Sequence, residues 1–409
     1  FVGRETELDQ LNQRLTERSY RLISLVGPGG IGKTRLAIQA ARAQRDAFRD
    51  GVYFVPLEGV QKAAEIPAAI AEAMGITFMA SSESPQTEII QLLQGKQLLL
   101  VIDNLEHVID EGADLLLALM RTAPDIVLLI TSRERLNAQM EDLFRLRGLP
   151  YPETFDDSTA VHFAAVRLFG DRAHRLSKRF LLNEGTLPHV IRICHLVEGL
   201  PLGLELAATW IRDFTAEQIA DAIEKNLDLL ETNLRDIEPR QQSIQAVFDY
   251  SWKQLSEAEK QILPLLTLFK GGFSLTAALA ITGASPLLLT RLRYQSLLRS
   301  EGNGRYSLHA LLRQIAAQKR PETIQSIQAN YFRFYFQLLQ EKTLLLKGYG
   351  ARAAGHILMM ELDNIRQAWH WGIEAESFAD LQEAVPSLAE FYTYSGLYSE
   401  GIALIDDVL

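Results

Sequence analysis

A run of glycines followed by a lysine and a threonine carries the clearest chemical signal in this chain. Residues 27–34 have the sequence GPGGIGKT and match the pattern G-x-x-x-x-G-K-[ST] in full. Glycines let successive backbone N–H groups point into one concavity, because a Cβ would block the turn or the approach of a phosphate. Lys33 can reach the β- and γ-phosphates of a nucleotide, and the hydroxyl of Thr34 can ligate Mg²⁺. The residues that we expect to contact a bound nucleotide here are Gly27, Pro28, Gly29, Gly30, Ile31, Gly32, Lys33, Thr34 and Arg35.

An aspartate at the end of a strongly apolar run is the second signal. Residues 96–103 have the sequence KQLLLVID. An acid at the carboxyl end of a buried strand lies at the sheet edge where α/β proteins bind their ligands. Because P-loop NTPases hold Mg²⁺ through such a second acidic element, we assign Asp103 to a magnesium site together with Thr34. In the alternative, Asp103 only caps the helix that follows.

Three more residues are candidates for catalysis beside Asp103. Asn104 stands where many P-loop ATPases have an Asp or Glu that orients the attacking water, and an asparagine cannot accept a proton from that water. Because Asn104 is not an acidic base, we expect nucleotide binding with slow hydrolysis. Glu106, two residues further on, could replace the missing base. Arg133 follows the apolar run 125–131, where its planar guanidinium could contact a γ-phosphate; the alternative is a surface arginine.

Alternating apolar runs and helical patterns position these residues. Helices with periodic apolar side chains separate the runs, including one from Lys33 to about Arg49, and a polar loop is predicted at Met79–Thr87. This alternation predicts a parallel sheet covered by helices. The predicted strands are Leu22–Val26, Gly51–Leu57, Lys96–Asp103, Asp125–Thr131 and Phe144–Leu149.

From residue 157 onward, helical patterns dominate. Residues 238–320 combine helices with a hairpin at Leu298–Leu308, whose turn is Gly302–Gly304, and this combination describes a winged helix. Residues 389–409 resemble part of one tetratricopeptide unit, and since such units need stacked neighbours, we expect the array to continue past the last residue. The other helices predicted are Ala160–Ala173, Leu187–Leu196, Leu204–Ile211, Ala216–Leu230, Ile244–Trp252 and Glu257–Phe269.

The composition excludes several classes of protein. The chain has 409 residues, of which 47% are hydrophobic and 22% charged, so we expect about two to four domains with ample core. A net charge of −10 argues against bulk attraction to DNA or anionic lipid. The single cysteine, Cys194, predicts a packed thiol in a cytoplasmic protein, and the lack of an apolar run of ~20 residues predicts no membrane span. Because residue 1 is Phe rather than Met, we expect a piece of a longer protein.

In their order along the chain, these motifs resemble the STAND class of signal-transduction ATPases, in its NB-ARC-like branch. Residues 1–5 (FVGRE) are similar to the opening motif of the family, in which the counterparts of Val2 and Arg4 neighbour the adenine. Residues 27–34 and 98–103 resemble its Walker A and Walker B motifs. The resemblance implies adenine nucleotide and Mg²⁺ as cofactors and favours a bacterial member.

Three later motifs extend the resemblance to about residue 320. Residues 131–133 (TSR) are similar to the sensor-1 arginine motif. Residues 199–202 (GLPL) resemble the motif whose proline, here Pro201, packs on the nucleotide base or sugar. Residues 305–309 (RYSLH) resemble the winged-helix segment whose histidine, here His309, touches the β-phosphate of ADP in many members. In the alternative, His309 is only packed at the start of a helix.

The family resemblance implies both a fold and a mechanism. The fold is an α/β P-loop NTPase with a parallel, AAA+-like five-stranded sheet over residues 1–150, a helical lid over 151–237, a winged helix over 238–320 and the start of a tetratricopeptide-like sensor over 321–409. The mechanism is a switch in which ADP holds a closed monomer. An unknown trigger ligand or protein at the repeats permits exchange for ATP, and the ATP-bound homo-oligomer activates an output domain outside this chain in transcription regulation or defence.

Two other functions stay open at this point. The winged helix itself could read DNA, although the charge balance and the lack of a basic recognition helix make direct nucleic acid binding an unfavoured expectation. The chain could also be an ordinary metabolic ATPase or kinase, but no substrate pocket with convergent catalytic groups is visible in the sequence.

Overall fold

A parallel β-sheet forms the core of the N-terminal part of the chain in the computed structural model. Its neighbouring strands all run parallel, in the order β2-β3-β4-β1-β5. The strands β1, β3 and β4 are buried along their whole length, as expected for strands covered by helices on both faces. The predicted five-stranded parallel sheet is therefore confirmed. The strands are β1 (Leu22–Val26), β2 (Val52–Pro56), β3 (Leu99–Asp103), β4 (Val127–Ser132) and β5 (Glu141–Arg145).

The chain divides into two compact units. The first unit comprises Phe1–Gln254 and Tyr294–Ser296, and the second comprises Leu255–Arg293 and Leu297–Leu409. The structure describes residues 2–17, 20–76, 84–154, 159–225, 230–231, 243–301, 304–321 and 324–406.

The helices around the sheet correct two details of the prediction. The fifth strand was predicted at Phe144–Leu149 but begins at Glu141, because β5 is an edge strand whose first residues are charged and half-buried. The polar loop predicted at Met79–Thr87 lies partly outside the described residues, and from Pro85 onward it is helical, with Ser84 as the capping residue. The helices are α1 (Glu5–Glu17), α2 (Lys33–Ala43), α3 (Ile66–Ala73), α4 (Pro85–Leu93) and α5 (Ile109–Thr122).

Helices complete the described part of the first unit. Gly199 adopts a φ of +63°, and a Cβ there would lie 2.1 Å from the carbonyl oxygen of Leu149, so only glycine allows this close approach of the two backbones. The helix α8 begins two residues later, with Pro201 in its first turn, where the fixed φ of proline suits a helix. The helices are α6 (Ala164–Leu176), α7 (Leu187–Leu196), α8 (Pro201–Thr209), α9 (Ala216–Lys225) and α10 (Ile244–Gln254).

The second unit begins with short helices and a small antiparallel sheet of strand order β6-β8-β7. The hairpin predicted at Leu298–Leu308 is present as β7 and β8; residues 302 and 303 of its turn lie outside the described part of the chain. The elements are α11 (Glu257–Leu266), β6 (Phe273–Ser274), α12 (Leu275–Thr282), α13 (Pro286–Tyr294), β7 (Arg299–Ser300), β8 (Arg305–Ser307) and α14 (Ala310–Ala317).

Long helices with aromatic cores follow. Tyr331, Tyr335 and Trp369 are fully buried. Gly396, at a φ of +75°, ends α18, whereas Tyr398, which we placed with Gly396 in the turn between two helices, is the first residue of α19. The tetratricopeptide assignment itself stays a prediction. The helices are α15 (Gln325–Thr343), α16 (Ala351–Met360), α17 (Leu362–Glu374), α18 (Phe378–Ser395) and α19 (Tyr398–Asp406).

The domain bounds predicted from the sequence stay predictions. The boundary at residues 237 and 238 lies outside the described residues, and α10 belongs to the first unit although we grouped it with the winged helix. In the described part of the chain, no single helix has both the length and the apolar composition needed to cross a membrane; by these two criteria alone, the bent pair Leu275–Thr282 and Pro286–Tyr294 qualifies.

Candidate nucleotide-binding site

The glycine-rich loop connects the end of β1 to the start of α2. Gly32 precedes α2 with a φ of +93°, a conformation that favours glycine, and the first turn of α2 carries no acidic residue. The N-terminus of α2 therefore presents backbone N–H groups and the positive end of the helix dipole to an anion. The Nζ of Lys33 donates hydrogen bonds to the carbonyl oxygens of Gly27 (2.7 Å) and Pro28 (3.1 Å). These features suit the binding of an anion such as phosphate, and we call residues 27–34 the phosphate loop.

Asp103 ends β3 next to this loop. Its Oδ1 accepts hydrogen bonds from the hydroxyls of Thr34 (2.7 Å) and Thr131 (2.5 Å). Burial raises the pKa of Asp103, and the two hydrogen bonds oppose this effect only in part. A carboxylate beside a hydroxyl is a donor set that suits Mg²⁺. No group of three or more His, Cys, Asp or Glu side chains in the described ranges could hold a metal, so Mg²⁺ bound by Thr34 and Asp103 would need water and phosphate oxygens as further ligands.

Asn104 and Glu106 lie in the wall of a cavity beside the glycine-rich loop, which we call the phosphate cavity. Asn104 adopts a left-handed conformation, with a φ of +66°, that asparagine tolerates better than most residues. Its Nδ2 and the Oε2 of Glu106 are both buried and have no hydrogen-bond partner among the residues that the structure describes. Since buried polar atoms normally find partners, both atoms fit a site that receives a polar ligand or water.

Arg133 follows β4 and is only 8% exposed, so it is not a surface arginine. Its Nε lies 3.2 Å from the Oε1 of Glu106, and both side chains are buried. The pair brings one positive and one negative charge to the wall of the phosphate cavity. A buried cation beside a phosphate can stabilise its charge, and the contact of Arg133 with a γ-phosphate stays a prediction.

Two adjoining cavities are lined by most of the residues that we predicted to contact a nucleotide, but Gly27, Pro28 and His309 are not in their walls. The first is the phosphate cavity, of about 460 Å³, which has residues of the phosphate loop, Asp103 and Arg133 in its wall. The second, of about 330 Å³, is lined by Val2, Arg4 and Ile31 among others. Both share the residues Gly32, Arg35, Ile38, Pro201 and Glu205.

Arg4 braces the phosphate loop. Its Nη2 donates to the carbonyl oxygens of Ile31 (2.9 Å) and Arg147 (2.7 Å), and its Nη1 pairs with Glu7 at 2.9 Å. Burial lowers the pKa of Arg4, and the ion pair with Glu7 opposes this shift. The structure therefore gives Arg4 a contact with the loop through Ile31. The predicted position of Arg4 beside the adenine stays a prediction.

Sequence reasoning missed several residues of the site. Glu205 binds Arg35 (2.8 Å) and Arg172 (2.9 Å) and so links α8 to the start of α2. It follows Pro201 by one helical turn, and this spacing could have identified it. Val247 and Tyr250 of α10 also line the phosphate cavity, and no local sequence pattern indicates this contact.

His309 lies in the second unit, at the start of α14. Its Nδ1 accepts a hydrogen bond of 3.2 Å from the backbone N–H of Leu311, and the side chain is 3% exposed. The histidine therefore caps the helix. Its contact with ADP, which the family resemblance implies, stays a prediction.

Known proteins similar to this chain match the site and the fold. Residues 4–142 match the NB-ARC domain family. An uncharacterised protein of Mycobacterium tuberculosis, Rv0894, is 30% identical over 281 residues, which are 69% of this chain and 68% of that protein. The chain belongs to the NB-ARC family of P-loop NTPases. This family lies in the STAND class, and the similar proteins described in this subsection are bacterial or archaeal.

Two further proteins resemble this NB-ARC protein, one in sequence and one in fold. A protein of Mycobacterium tuberculosis named as an HTH-type transcriptional regulator, Rv0890c, is 30% identical over 400 residues, which cover 95% of this chain. The chain spans 44% of the length of that regulator. The Walker-type ATPase PABY2304 of Pyrococcus abyssi superposes with a TM-score of 0.51 at 13% identity, over 77% of this chain and 96% of that structure, so it shares the fold.

Proposed function

We propose that this NB-ARC protein is a nucleotide-dependent molecular switch that holds ADP in a closed monomer and exchanges it for ATP. The observation that carries the proposal is the convergence of Lys33, Thr34, Asp103 and Arg133 in the wall of one cavity. The second cavity shares Pro201 with the first and would receive the base or sugar. This arrangement favours a nucleotide over an isolated phosphate, because two adjoining cavities match a base-and-phosphate ligand.

Each residue would have a separate part in binding and slow hydrolysis. The loop amides and Lys33 would bind the β- and γ-phosphates. Thr34 and Asp103 would hold Mg²⁺, which supplies charge neutralisation when bound. Asn104 and Glu106 would orient the attacking water. We infer slow hydrolysis, since Asn104 cannot accept a proton and the Oε1 of Glu106 is already paired with Arg133.

A switch requires that ADP and ATP bind the two conformations with different affinity. The phosphate cavity offers a reason for such a difference. A γ-phosphate beside the Arg133–Glu106 pair would be attracted by the guanidinium and repelled by the carboxylate. ADP lacks a γ-phosphate, so only ATP would disturb the ion pair between Arg133 and Glu106.

The output and the trigger are proposed from the family and its relatives. The similarity to a protein named as an HTH-type transcriptional regulator favours transcription regulation over defence as the output. The trigger, a ligand or protein, would bind the helices beyond residue 321. The ATP-bound chains would assemble into a homo-oligomer in the cytoplasm, where the buried thiol of Cys194 would stay reduced.

Direct DNA binding by the winged helix is the weaker proposal. Arg305, a basic residue of the hairpin, is 8% exposed and forms an ion pair with Glu361, so its charge is directed inward. Arg299 on β7 is exposed, so one arginine of this hairpin faces solvent, whereas DNA-binding proteins present several cations to the phosphate backbone.

Nucleotide content and mass of the purified chain test the switch. The 409-residue chain, purified without added nucleotide, is extracted with acid, its nucleotide is identified by chromatography, and its mass is measured by light scattering. We expect about one ADP per chain and a monomer, with larger species after exchange for a non-hydrolysable ATP analogue. A chain without nucleotide that binds ADP only weakly would contradict the proposal.

A further inference from the structure

Helix α10 packs directly on the phosphate loop. A Cβ built on Gly29 would lie 2.5 Å from the Cγ1 of Val247, so nothing larger than glycine fits between the loop and the helix. Val247 and Tyr250, one helical turn apart, both line the phosphate cavity. The helix is therefore part of the wall that a bound phosphate chain would face.

Three side chains hold the guanidinium of Arg133, namely those of Glu106, Ser251 and Tyr250. Its Nε pairs with Glu106 at 3.2 Å, and its Nη1 donates to the hydroxyl of Ser251 on α10. Its Nη2 lies at the phosphate loop, 3.2 Å from the place of a Cβ on Gly29. The ring of Tyr250 covers the guanidinium, with its centroid 4.8 Å from Cζ. Two of these contacts, those of Ser251 and Tyr250, come from α10.

The hydroxyl of Ser251 is oriented for this contact. It donates a hydrogen bond of 3.1 Å to the carbonyl oxygen of Val247, so its lone pairs are directed away from the helix backbone and can accept from Arg133.

A second stretch of the first unit, residues 294–296, also contacts the segment 133–135. Ser296 donates to the carbonyl oxygen of Arg133 (2.7 Å), and Arg135 donates to the hydroxyl of Tyr294 (2.7 Å).

We propose that Tyr250 and Ser251 are positioning residues that set how strongly this site prefers ATP to ADP. They hold the Arg133 guanidinium with Nη2 at the phosphate loop, where a γ-phosphate would be bound. The proposal rests on the proposed nucleotide-binding function and adds to it the residues through which α10 detects the third phosphate. An arginine has many rotamers, so contacts that fix its guanidinium in advance lower the ordering cost of binding.

Helix α10 and the stretch 294–296 are the two parts of the first unit that contact the segment following β4. Gln254 ends α10, and Leu255 begins the second unit. The stretch Tyr294–Ser296 is the other part of the chain that returns to the first unit. Both stretches contact the segment 133–135 within the first unit.

The test compares ADP with a non-hydrolysable ATP analogue by calorimetry on the 409-residue chain. The variants are Ser251→Ala, which removes the acceptor, and Tyr250→Leu, which removes the ring but keeps apolar bulk. We expect each to weaken the ATP analogue about three- to tenfold more than ADP, the range that one cation–π contact or hydrogen bond gives. Tyr250→Phe should restore the wild-type preference, because it keeps the ring.

Gln254→Ala is the matched control, since Gln254 is exposed at the end of α10 and outside the cavity wall. Melting temperatures without nucleotide confirm that each variant is folded. An equal loss of affinity for both nucleotides would mean that α10 only supports the structure and would overturn the proposal. Unchanged preference in both Ser251→Ala and Tyr250→Leu would overturn it as well, with the proposed function intact. A wild-type chain that binds neither nucleotide would overturn both.

Discussion

The carboxylate of Asp103 accepts a hydrogen bond of 2.7 Å from the hydroxyl of Thr34, which joins the end of β3 to the start of α2. Burial raises the pKa of Asp103. Because the carboxylate is the form that binds Mg²⁺, affinity for the Mg²⁺–nucleotide complex should be full above the raised pKa and fall as the pH decreases through it. We expect the fall to begin at a higher pH than for an ordinary aspartate, as measured by calorimetry over pH with and without Mg²⁺.

The variant Asp103→Asn serves as the control for this pH dependence. In this variant the affinity for Mg²⁺ should fall by more than about tenfold, and Mg²⁺ should no longer strengthen nucleotide binding. Even the loss of a residue that only contacts a metal ligand lowers metal affinity by about that factor. A raised folded-state pKa means that folding favours the protonated form, so the ionised group destabilises the fold at neutral pH. The nucleotide-free variant should therefore melt no lower than the wild type. Undiminished Mg²⁺ dependence in Asp103→Asn would contradict the magnesium assignment.

Lys33→Ala should remove most of the nucleotide affinity. Lys33 is the lysine of the loop motif, and the loss of a hydrogen bond to a charged group costs about 1.5–3 kcal/mol, or roughly ten- to a hundredfold in affinity. Calorimetry with ADP and with an ATP analogue measures the loss. Lys253→Ala is the control, because Lys253 is exposed on α10 and outside the cavity wall. Equal affinity in Lys33→Ala and the wild type would exclude the loop as the phosphate site.

Asn104→Asp should increase the rate of ATP hydrolysis if activation of water limits it. The substitution suits the backbone, because aspartate, like asparagine, tolerates the left-handed conformation with a φ of +66° at this position. We expect wild-type turnover far below the ~10 s⁻¹ typical of enzymes, measured as phosphate release. Glu106→Gln distinguishes the other source of a base. If the wild type hydrolyses ATP near the typical rate and Glu106→Gln abolishes this activity, Glu106 already supplies the base.

The strands and the loop motif could be predicted from local sequence. The apolar runs around Ile23 and Val101 are buried strands because each residue faces packed helices, and the glycine pattern before Lys33 specifies its own turn. The fifth strand was misplaced because an edge strand needs no continuous apolar run. Glu141 and Asp142 are half-buried at that edge, and pairing with β1 fixes their register.

Contacts between distant parts of the chain could not be predicted in this way. Tyr250 and Ser251 reach Arg133 across more than a hundred positions of sequence, and neither residue type nor spacing indicates the pair. The same holds for the brace of Arg4 on Ile31 and Arg147. Such contacts depend on how α10 and the opening residues pack on the sheet, and periodicity does not specify that packing.

Removing Glu361 should strongly destabilise the second unit. Glu361 forms a buried ion pair with Arg305 and accepts hydrogen bonds from Asn364 (2.6 Å) and Tyr335 (3.3 Å). Glu361→Ala leaves the buried charge of Arg305 without its counterion and should cost about 3–5 kcal/mol in the free energy of unfolding, measured in urea.

Exposed and double variants give the controls for this ion pair. Glu257→Ala breaks the exposed pair with Lys260 and should cost only about 0–1 kcal/mol. The double variant Arg305→Met/Glu361→Gln should recover much of the stability lost by Glu361→Ala, since it removes both buried charges and keeps an acceptor for Asn364 and Tyr335. A loss in Glu361→Ala no larger than in Glu257→Ala would show that Arg305 finds another partner or water.

His309 gives the last prediction, because two functions for it can be separated. Its side chain caps α14 through the backbone N–H of Leu311, and the family resemblance implies a second function, a contact with the β-phosphate of ADP. His309→Ser keeps a residue that is favoured at helix N-termini but is too short to reach a phosphate, whereas His309→Ala removes both functions.

If the phosphate contact exists, both variants should release ADP about ten- to a hundredfold faster, the equivalent of about 1.5–3 kcal/mol for one hydrogen bond to a charged group. Only His309→Ala should also lose about 1 kcal/mol of stability without nucleotide, from the missing cap. Release is followed with fluorescent ADP, and shape by sedimentation, because loss of the contact should also open the protein. Wild-type release and sedimentation in His309→Ser, with reduced stability in His309→Ala, would leave the histidine as a helix cap alone.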